Sequence, residues 1–438
     1  MPPHVIIVGG GFGGLHAAQA LRSAPVNVTL IDKRNYHLFR PMLYQVATGL
    51  LSGDEIAGPL RSILSRQKNV DVLLDEVTGI DASKRIVRLR HRDLAYDFLI
   101  LATGIRYNYF GHDEWREFAP GLESLGDADL IRGKVLLAFE RAEELASSGQ
   151  AASEIQRQLT FALVGAGTVG VEMASTLAEM SRMALSHDFR HIDPASARIC
   201  LYEAGPRILP TYPEHLSMKA LRHLESLGVR VYTNARVTAV DAGGIVVGGQ
   251  RIPAATVLWG AGVVASPAGR WLDAPMDKSG KIMVEPDLSV PGHPEVFAIG
   301  DTAHLVASTR NLVGIKSRTP MLMPGVAQPA IQEGKYVASV IRRRAQGRPV
   351  PAPFWYWDKG DLAIVGRTYA VADLRFARFA GFPAWLLWAV VHIYFLIGFA
   401  NRLFVVLQWG LDFLTKHRQV RVFPAERPSA ENVIDPAA

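Results

Sequence analysis

A strand, a glycine turn and an alanine-rich helix occur twice in this chain, and the repeat constrains the fold more than any other feature. The first copy is HVIIVGGGFGGLHAAQAL, residues 4–21. Its apolar run predicts a strand at His4–Val8, and Gly9, Gly11 and Gly14 fit G-x-G-x-x-G. Gly9 allows the tight turn, Gly11 lets the backbone approach a pyrophosphate, and Gly14 lets helix and strand pack closely. Phe12 opens a helix whose free N–H groups and positive dipole end suit phosphates. The next strand, VNVTLID, ends in Asp32, where a carboxylate accepts hydrogen bonds from a ribose; Lys33 follows it. The second copy, LTFALVGAGTVGVEMASTLAEM, carries Gly165, Gly167 and Gly170, and its following strand, RICLYEA, ends in Glu203. SRMALSHDFRHIDPAS lengthens that interval as helix extension plus loop. Glu203 favours the free 2′-hydroxyl of NADH over the 2′-phosphate of NADPH, with nearby Arg207 working against the preference. The fold class expected is α/β, with two Rossmann-like dinucleotide-binding domains.

Three further segments assign the first site to FAD. LILATGIRYNYFG (99–111) is a strand closed by Ala102, Thr103 and Gly104, and VFAIGDTA (296–303) is a strand ending in Gly300 and Asp301. Both look like the segments that return the chain to the flavin in two-dinucleotide-binding flavoproteins. DVLLDEVTGID (71–81) reads as one short strand that carries the backbone near Val77 past the adenine.

Composition removes several function classes. The 438 residues are 49% hydrophobic and 20% charged, which suits a packed chain of two or three domains. The net charge is +6, without a run of five or six like charges or an aromatic-interleaved basic patch, so nucleic acid is not an expected partner. Cys200 is the single cysteine. A disulfide framework, a vicinal thiol pair beside a flavin and a two-thiol zinc motif are therefore excluded. No His/Cys/Asp cluster has metal-ligand spacing, so no metal is expected and the electron acceptor must be diffusible or docked. MPPHVIIVGG lacks a basic region followed by an apolar one, so a cytosolic active side is expected.

The C-terminal region is the most apolar. AWLLWAVVHIYFLIGFA (384–400) lies in a stretch without formal charge from Phe379 to Asn401. Gly381-Phe382-Pro383 predicts a helix start with proline at the first helical position, and Gly398 to Arg402 predicts its end. Trp385, Trp388, His392, Phe395 and Phe399 fall on one face, with apolar residues round most of the rest. A second helix is expected at 403–418, with Gln408, Asp412 and Lys416 as a polar stripe and Phe404, Val405, Leu407, Trp409 and Leu411 opposite. Monotopic insertion is the favoured reading, over a packed core or dimer helix and over a membrane span.

With these stretches in view, the chain resembles the type II NADH:quinone oxidoreductases, the alternative NADH dehydrogenases that do not pump protons. The resemblance rests on IDKRNYHLFRPMLYQVATG, ATGIRYNYFGHDEW, VGAGTVGVEMA, VLWGAGV, GVAQPAIQEGKYVA and WDKGDLAIVG, and runs over nearly the whole chain. It implies FAD bound non-covalently, NADH as donor, a membrane quinone as acceptor, and a peripheral enzyme on the cytoplasmic membrane surface. It further implies that Thr103, Gly104, Asp301 and Ala327 contact flavin. Glu172 would stand between nicotinamide and flavin, Gln328 and Gln332 would form the quinone-site pair, and Lys359 would lie near the quinone tunnel. Gly262 joins the nucleotide contacts. Gln328 and Gln332 are four apart and so share a helix face, where amides can hydrogen-bond a quinone carbonyl without introducing charge. Arg40 and Thr168 depart from the family pattern.

The division expected is an FAD domain at 1–118 and 291–350, an NADH domain at 119–290, and a C-terminal domain at 351–438 with anchoring helices at about 383–418. Exposed apolar helices suggest a homodimer. A soluble ferredoxin-reductase-like NADH:acceptor flavoreductase and a non-catalytic NADH/FAD sensor remain as alternatives.

Overall fold

The structure, a computed structural model, describes residues 1–415 apart from positions 187 and 318, together with Val420 and Val422. The first unit opens with β1 (His4–Val8), α1 (Phe12–Ala20), β2 (Asn27–Asp32), β3 (Val70–Leu74) and β4 (Phe98–Leu101). The second unit is β5 (Thr160–Val164), α2 (Thr168–Glu179), β6 (Arg198–Tyr202), β7 (Arg230–Tyr232) and β8 (Thr256–Trp259). The chain then returns through β9 (Ser289–Val290) and β10 (His293–Ala298) to the first sheet, whose order is β9-β10-β4-β1-β2-β3. All pairs of that sheet are parallel except the β9–β10 edge. The second sheet, β7-β6-β5-β8, is wholly parallel.

Burial explains why β1 and β5 read as continuous apolar runs. Val5 and Ile7 pack into one cluster with Leu15 and Ala18 of α1, while Ile6 and Val8 pack into another on the opposite face. In β5, Phe161 and Leu163 face one cluster, and Ala162 and Val164 face another that holds Cys200. A parallel strand covered on both faces has no polar side to alternate with. Cys200 is a buried packing residue within β6.

Two local expectations change. Residues 71–81 form two strands, β3 and a separate Val77–Asp81, because Asp75 and Glu76 interrupt them; Val77 pairs antiparallel with Leu89 in a small three-stranded sheet. The second unit also ends before 290. Ala268, Leu272, Ala274 and Ile282 pack on the first sheet, whose edge strand is β9.

The remaining elements are β11 (Val306–Asn311), α3 (Ala327–Ala345), β12 (Trp355–Asp358), the meander β13 (Asp361–Ile364), β14 (Ala370–Asp373) and β15 (Arg378–Gly381), and helices α4 (Phe382–Phe395) and α5 (Phe399–Thr415). α3 crosses α1 tightly: a Cβ on Gly334 would lie 2.3 Å from the Gly13 carbonyl oxygen.

The charge-free stretch does not span a membrane. α4 has 14 residues and reaches about 21 Å at about 1.5 Å per residue, short of a hydrocarbon core of about 30 Å. Among the described residues, no helix is long and apolar enough to cross. The break falls at Leu396–Gly398, so Asn401 and Arg402 lie inside α5 rather than between the helices. Proline takes the second position of α4, after Phe382.

The helix divides its apolar surface between two environments. Trp388 is buried and stacks on His392 at 4.1 Å, with Ala384, Ala389 and Leu396 in the same core. Phe382, Leu386, Val390 and Tyr394, four residues apart, point outward and are 53%, 50%, 60% and 68% exposed. α5 turns its polar stripe toward the protein. Asp412 of the polar stripe pairs with Arg367 at 3.2 Å inside the protein, and the Trp409 indole donates to Gln45 Oε1 at 2.9 Å. Val405 is buried, whereas Phe404, Leu407 and Leu411 face outward. Lys416 and the end of the expected 403–418 helix lie outside the described residues.

Candidate functional site

The two glycine turns share one geometry. Gly9 has φ +105° and Gly165 φ +97°, backbone angles that L-residues rarely adopt. A Cβ on Gly14 would lie 1.9 Å from the Gly9 carbonyl oxygen, and one on Gly170 would lie 1.9 Å from that of Gly165. The middle glycines differ from these. Gly11 and Gly167 open helices α1 and α2, and a Cβ on either would meet nothing within 4 Å. The chain therefore packs around the outer glycines and leaves clear space before the middle ones, where a phosphate-bearing ligand would approach a helix N-terminus.

The acids after the second strands repeat the match. Asp32 accepts from the Gly10 N–H at 2.6 Å and from Arg34 N–H at 2.8 Å. Glu203 accepts from Ala166 N–H and from Gly205 N–H, each at 2.7 Å. Each carboxylate thus ties its glycine turn to its own strand end. Arg207 donates to the Tyr212 and Pro210 carbonyls, so its guanidinium is committed to its own loop. Exposed Lys33 stands beside Asp32, and Phe12 packs edge-on against His37 at 5.1 Å.

The return segments converge on the first turn. Thr302 Oγ1 accepts from the Gly104 N–H at 3.0 Å and lies 3.2 Å from Thr103 Oγ1, which also meets Ser266 Oγ. Asp301 follows Gly300, and a Cβ on Gly325 would lie 2.8 Å from its carboxylate. Burial raises the Asp301 pKa, opposed by the charges of Lys281 and Arg40. Arg40, the departure from the family pattern, thus faces the same site. Ala327 begins α3 two residues after Gly325. Gly262 lies beneath the exposed Phe110 ring.

Two residues here were missed by the sequence reading. His37 Nδ1 meets the Gly10 carbonyl at 2.9 Å, and its buried Nε2 has no partner. Burial pushes its pKa down to about 4, so the ring is neutral and Nε2 is an acceptor beside the glycine turn. Glu333, 1% exposed, accepts from the Gly300 N–H at 2.5 Å, and burial raises its pKa to about 7. Only its place in QEG, within a stretch already singled out, could have signalled it.

The expected acceptor residues separate. Gln328 and Gln332 do share a helix, but Gln332 Nε2 donates to the Trp357 carbonyl at 3.0 Å and its Oε1 accepts from the Trp357 N–H at 2.9 Å. Both ends of that amide hold β12. Gln328 Oε1 is buried without a partner, an acceptor open to a ligand. Lys359 Nζ sits over the Trp357 ring at 5.2 Å and the Phe395 ring at 5.1 Å, and burial lowers its pKa. Glu172 is buried in α2, and desolvation raises its pKa well above the ordinary value against an opposing hydrogen bond from Ile364. Burial thus favours its protonated form.

An apolar groove of about 820 Å³ lies between α4 and α5, with Phe382, Val390, Ile393 and Tyr394 among its walls. Trp385 and Trp409 line both this groove and a smaller inner cavity with Gln45, Thr176, Ile364 and Arg367. Thr176 is four residues from Glu172 on α2, so the inner cavity ends one helical turn from the buried acid. Gln328 and Gln332 line neither space.

Residues 3–339 match the family model described as pyridine nucleotide-disulphide oxidoreductase. The chain is 43% identical over 431 residues to the type II NADH:quinone oxidoreductase NdhA of Mycobacterium tuberculosis, covering 94% of this chain and 88% of that protein. It is 44% identical over 430 residues to Ndh of the same organism, covering 94% and 89%. In fold it is similar to the NDH2 of Plasmodium falciparum solved in complex with NADH, with a TM-score of 0.83, 21% identity and coverage of 96% and 100%. Taken with the duplicated glycine turns, these relationships place the chain in the pyridine nucleotide-disulphide oxidoreductase family, among the type II NADH:quinone oxidoreductases.

Proposed function

We propose that this protein oxidises NADH at the α2 turn and passes the electrons to a membrane quinone, without pumping protons. The observation that carries this reading is the apolar groove between α4 and α5 that adjoins, through Trp385 and Trp409, a cavity one turn from Glu172. A lipid-dissolved acceptor and a water-soluble donor can then approach one site from different directions.

The first unit suits FAD. Clear space before Gly11, the unpartnered acceptor His37 Nε2, and the converging Thr103, Gly104 and Asp301 all fit a dinucleotide with a hydrogen-bonding ring. Bound there, the flavin supplies two-electron chemistry that no side chain of this protein possesses. The protein's work is to bind, orient and exclude water. Gly167 leaves room for the pyrophosphate of NADH, and Glu203 presents a negative edge to its ribose. Because Arg207 is committed to its own loop, it is not poised to receive a 2′-phosphate, which favours NADH over NADPH. Burial favours the protonated form of Glu172, which can donate a hydrogen bond without adding a second negative charge near the NADH phosphates.

We further infer peripheral attachment through the outward faces of α4 and α5, on the cytoplasmic side, and a homodimer. Sedimentation in detergent tests the dimer.

Anaerobic mixing tests the activity. NADH should bleach the flavin absorbance, and a short-chain quinone should then restore it. Bleaching without restoration by quinone would leave a flavoreductase for another acceptor and refute the proposal.

A further inference from the structure

The hairpin that leaves β11 carries an apolar tip that none of the chemistry above uses. Asn311 N–H donates to the Ile315 carbonyl at 3.0 Å, Ile315 N–H donates to Asn311 Oδ1 at 2.9 Å, and Arg310 bridges to Lys316 across the hairpin. This ordered turn exposes Leu312, Val313 and Ile315 by 37%, 58% and 65%. A tight turn normally presents polar residues to water, so three large apolar side chains at one tip point to a partner.

Charge and register identify the partner. From Thr302 to Gln332 the sequence contains no Asp or Glu, and neither Arg310 nor Lys316 has an ion-pair partner among the described residues. β11 runs parallel to β12, pairing Ser308 with Trp355 and Arg310 with Trp357. The outer face of β12 carries Trp355 and Trp357, 46% and 43% exposed, and Arg310 lies over the Trp355 ring at 4.7 Å. One residue beyond β12, Lys359 rests on Trp357 and on Phe395, the last residue of α4. The tip therefore projects in the direction in which β12 reaches α4. Lys359 and Trp357 therefore lie between the end of α4 and the strand that carries the tip. Apolar points backed by tryptophans and unpaired cations suit a bilayer interface with anionic headgroups.

We propose that the Asn311–Ile315 hairpin is a second lipid-contacting element, placing Leu312, Val313 and Ile315 in the leaflet that receives α4 and α5, with Arg310 and Lys316 at anionic headgroups. The proposal rests on the membrane-surface reading given above. With three points of contact from two parts of the chain, the groove between α4 and α5 is held at a fixed tilt to the bilayer.

The test uses full-length holoprotein carrying Val313→Cys, Ile315→Cys, Val390→Cys or Lys84→Cys, each labelled with an environment-sensitive fluorophore; the native Cys200 is buried. Vesicles of phosphatidylcholine with phosphatidylglycerol should blue-shift the label at 313, 315 and 390, headgroup-level nitroxide lipids should quench it, and the label at 84 should not respond. A response at 390 without one at 313 and 315 overturns the hairpin proposal and leaves the membrane reading intact. No response at any site overturns both. A response at 313 and 315 that needs only higher protein concentration, without vesicles, assigns the tip to a second copy of the chain and overturns the proposal. The double variant Val313→Asp, Ile315→Asp should weaken vesicle binding about tenfold and leave NADH oxidation by ferricyanide unchanged; unaltered vesicle binding contradicts the proposal.

Discussion

At Gln332 and Gln328 the same side chain does different work four residues apart. Gln332 closes two hydrogen bonds on the main chain of Trp357, whereas Gln328 buries an acceptor with no partner. Gln332→Leu should lower the urea stability by about 1 kcal/mol through those lost bonds. Gln328→Leu should leave stability equal or higher and slow only the reoxidation of flavin by quinone. A second prediction concerns pH. Burial holds the folded Glu333 pKa at about 7, above its ordinary 4.5, so the folded state keeps a proton that the unfolded chain has lost. Stability from this group is full below 4.5 and is lost as the pH rises to about 7. Glu333→Gln keeps an acceptor for the Gly300 N–H, and urea midpoints against pH should lose that component of the slope. At this scale the sequence was legible where spacing fixes local geometry: the carboxylates singled out at Asp32 and Glu203 each hold a glycine turn. It was silent where partners come from distant segments: Gln332 and Trp357 are joined only by the fold, and Glu333 meets Gly300 across a helix-to-turn contact.

Among the elements, α4 shows what an apolar helix can hide. Its sequence is hydrophobic nearly all round, so periodicity could not choose which face turns inward. Trp388 and Ala384 went into the core, and Phe382, Leu386, Val390 and Tyr394 stayed outside. The inward face fits the reading of a packed helix, and the outward face is the one proposed for the membrane surface. In α5 the polar stripe was legible, but its meaning depended on Arg367, which draws Asp412 inward. Removing the whole tail would strip core residues such as Trp388, and so would confuse unfolding with release from a membrane. Leu386→Asp with Val390→Asp keeps the inward face and should reduce vesicle flotation about tenfold or more, with the melting temperature little changed. Trp388→Ala should instead lower stability by roughly 3–5 kcal/mol. Equal loss of vesicle binding and stability in the double aspartate variant would show that the outward face is structural.

Across the whole molecule, the duplicated turns set the plan of the fold. Their strands, acids and glycines were readable in advance because sterics and phosphate binding demand particular residues at particular intervals. The return of residues 266–290 to the first sheet was not readable, since short strands and a one-turn helix leave little period. The open space before Gly11 and Gly167 allows ligand binding to be separated from folding. Gly11→Ala should give a folded protein with depleted flavin, whereas Gly14→Ala drives a Cβ into the Gly9 carbonyl and should prevent soluble expression. Flavin absorbance per folded chain distinguishes them.

Gly167→Ala puts the matching obstacle at the NADH turn, and anaerobic stopped flow reads both halves of its reaction separately. Bleaching of the flavin by NADH should slow by about tenfold or more, as expected for an obstructed pyrophosphate site, while reoxidation of the reduced enzyme by a short-chain quinone keeps its wild-type rate. Equal slowing of the two halves would contradict separate donor and acceptor routes to one flavin.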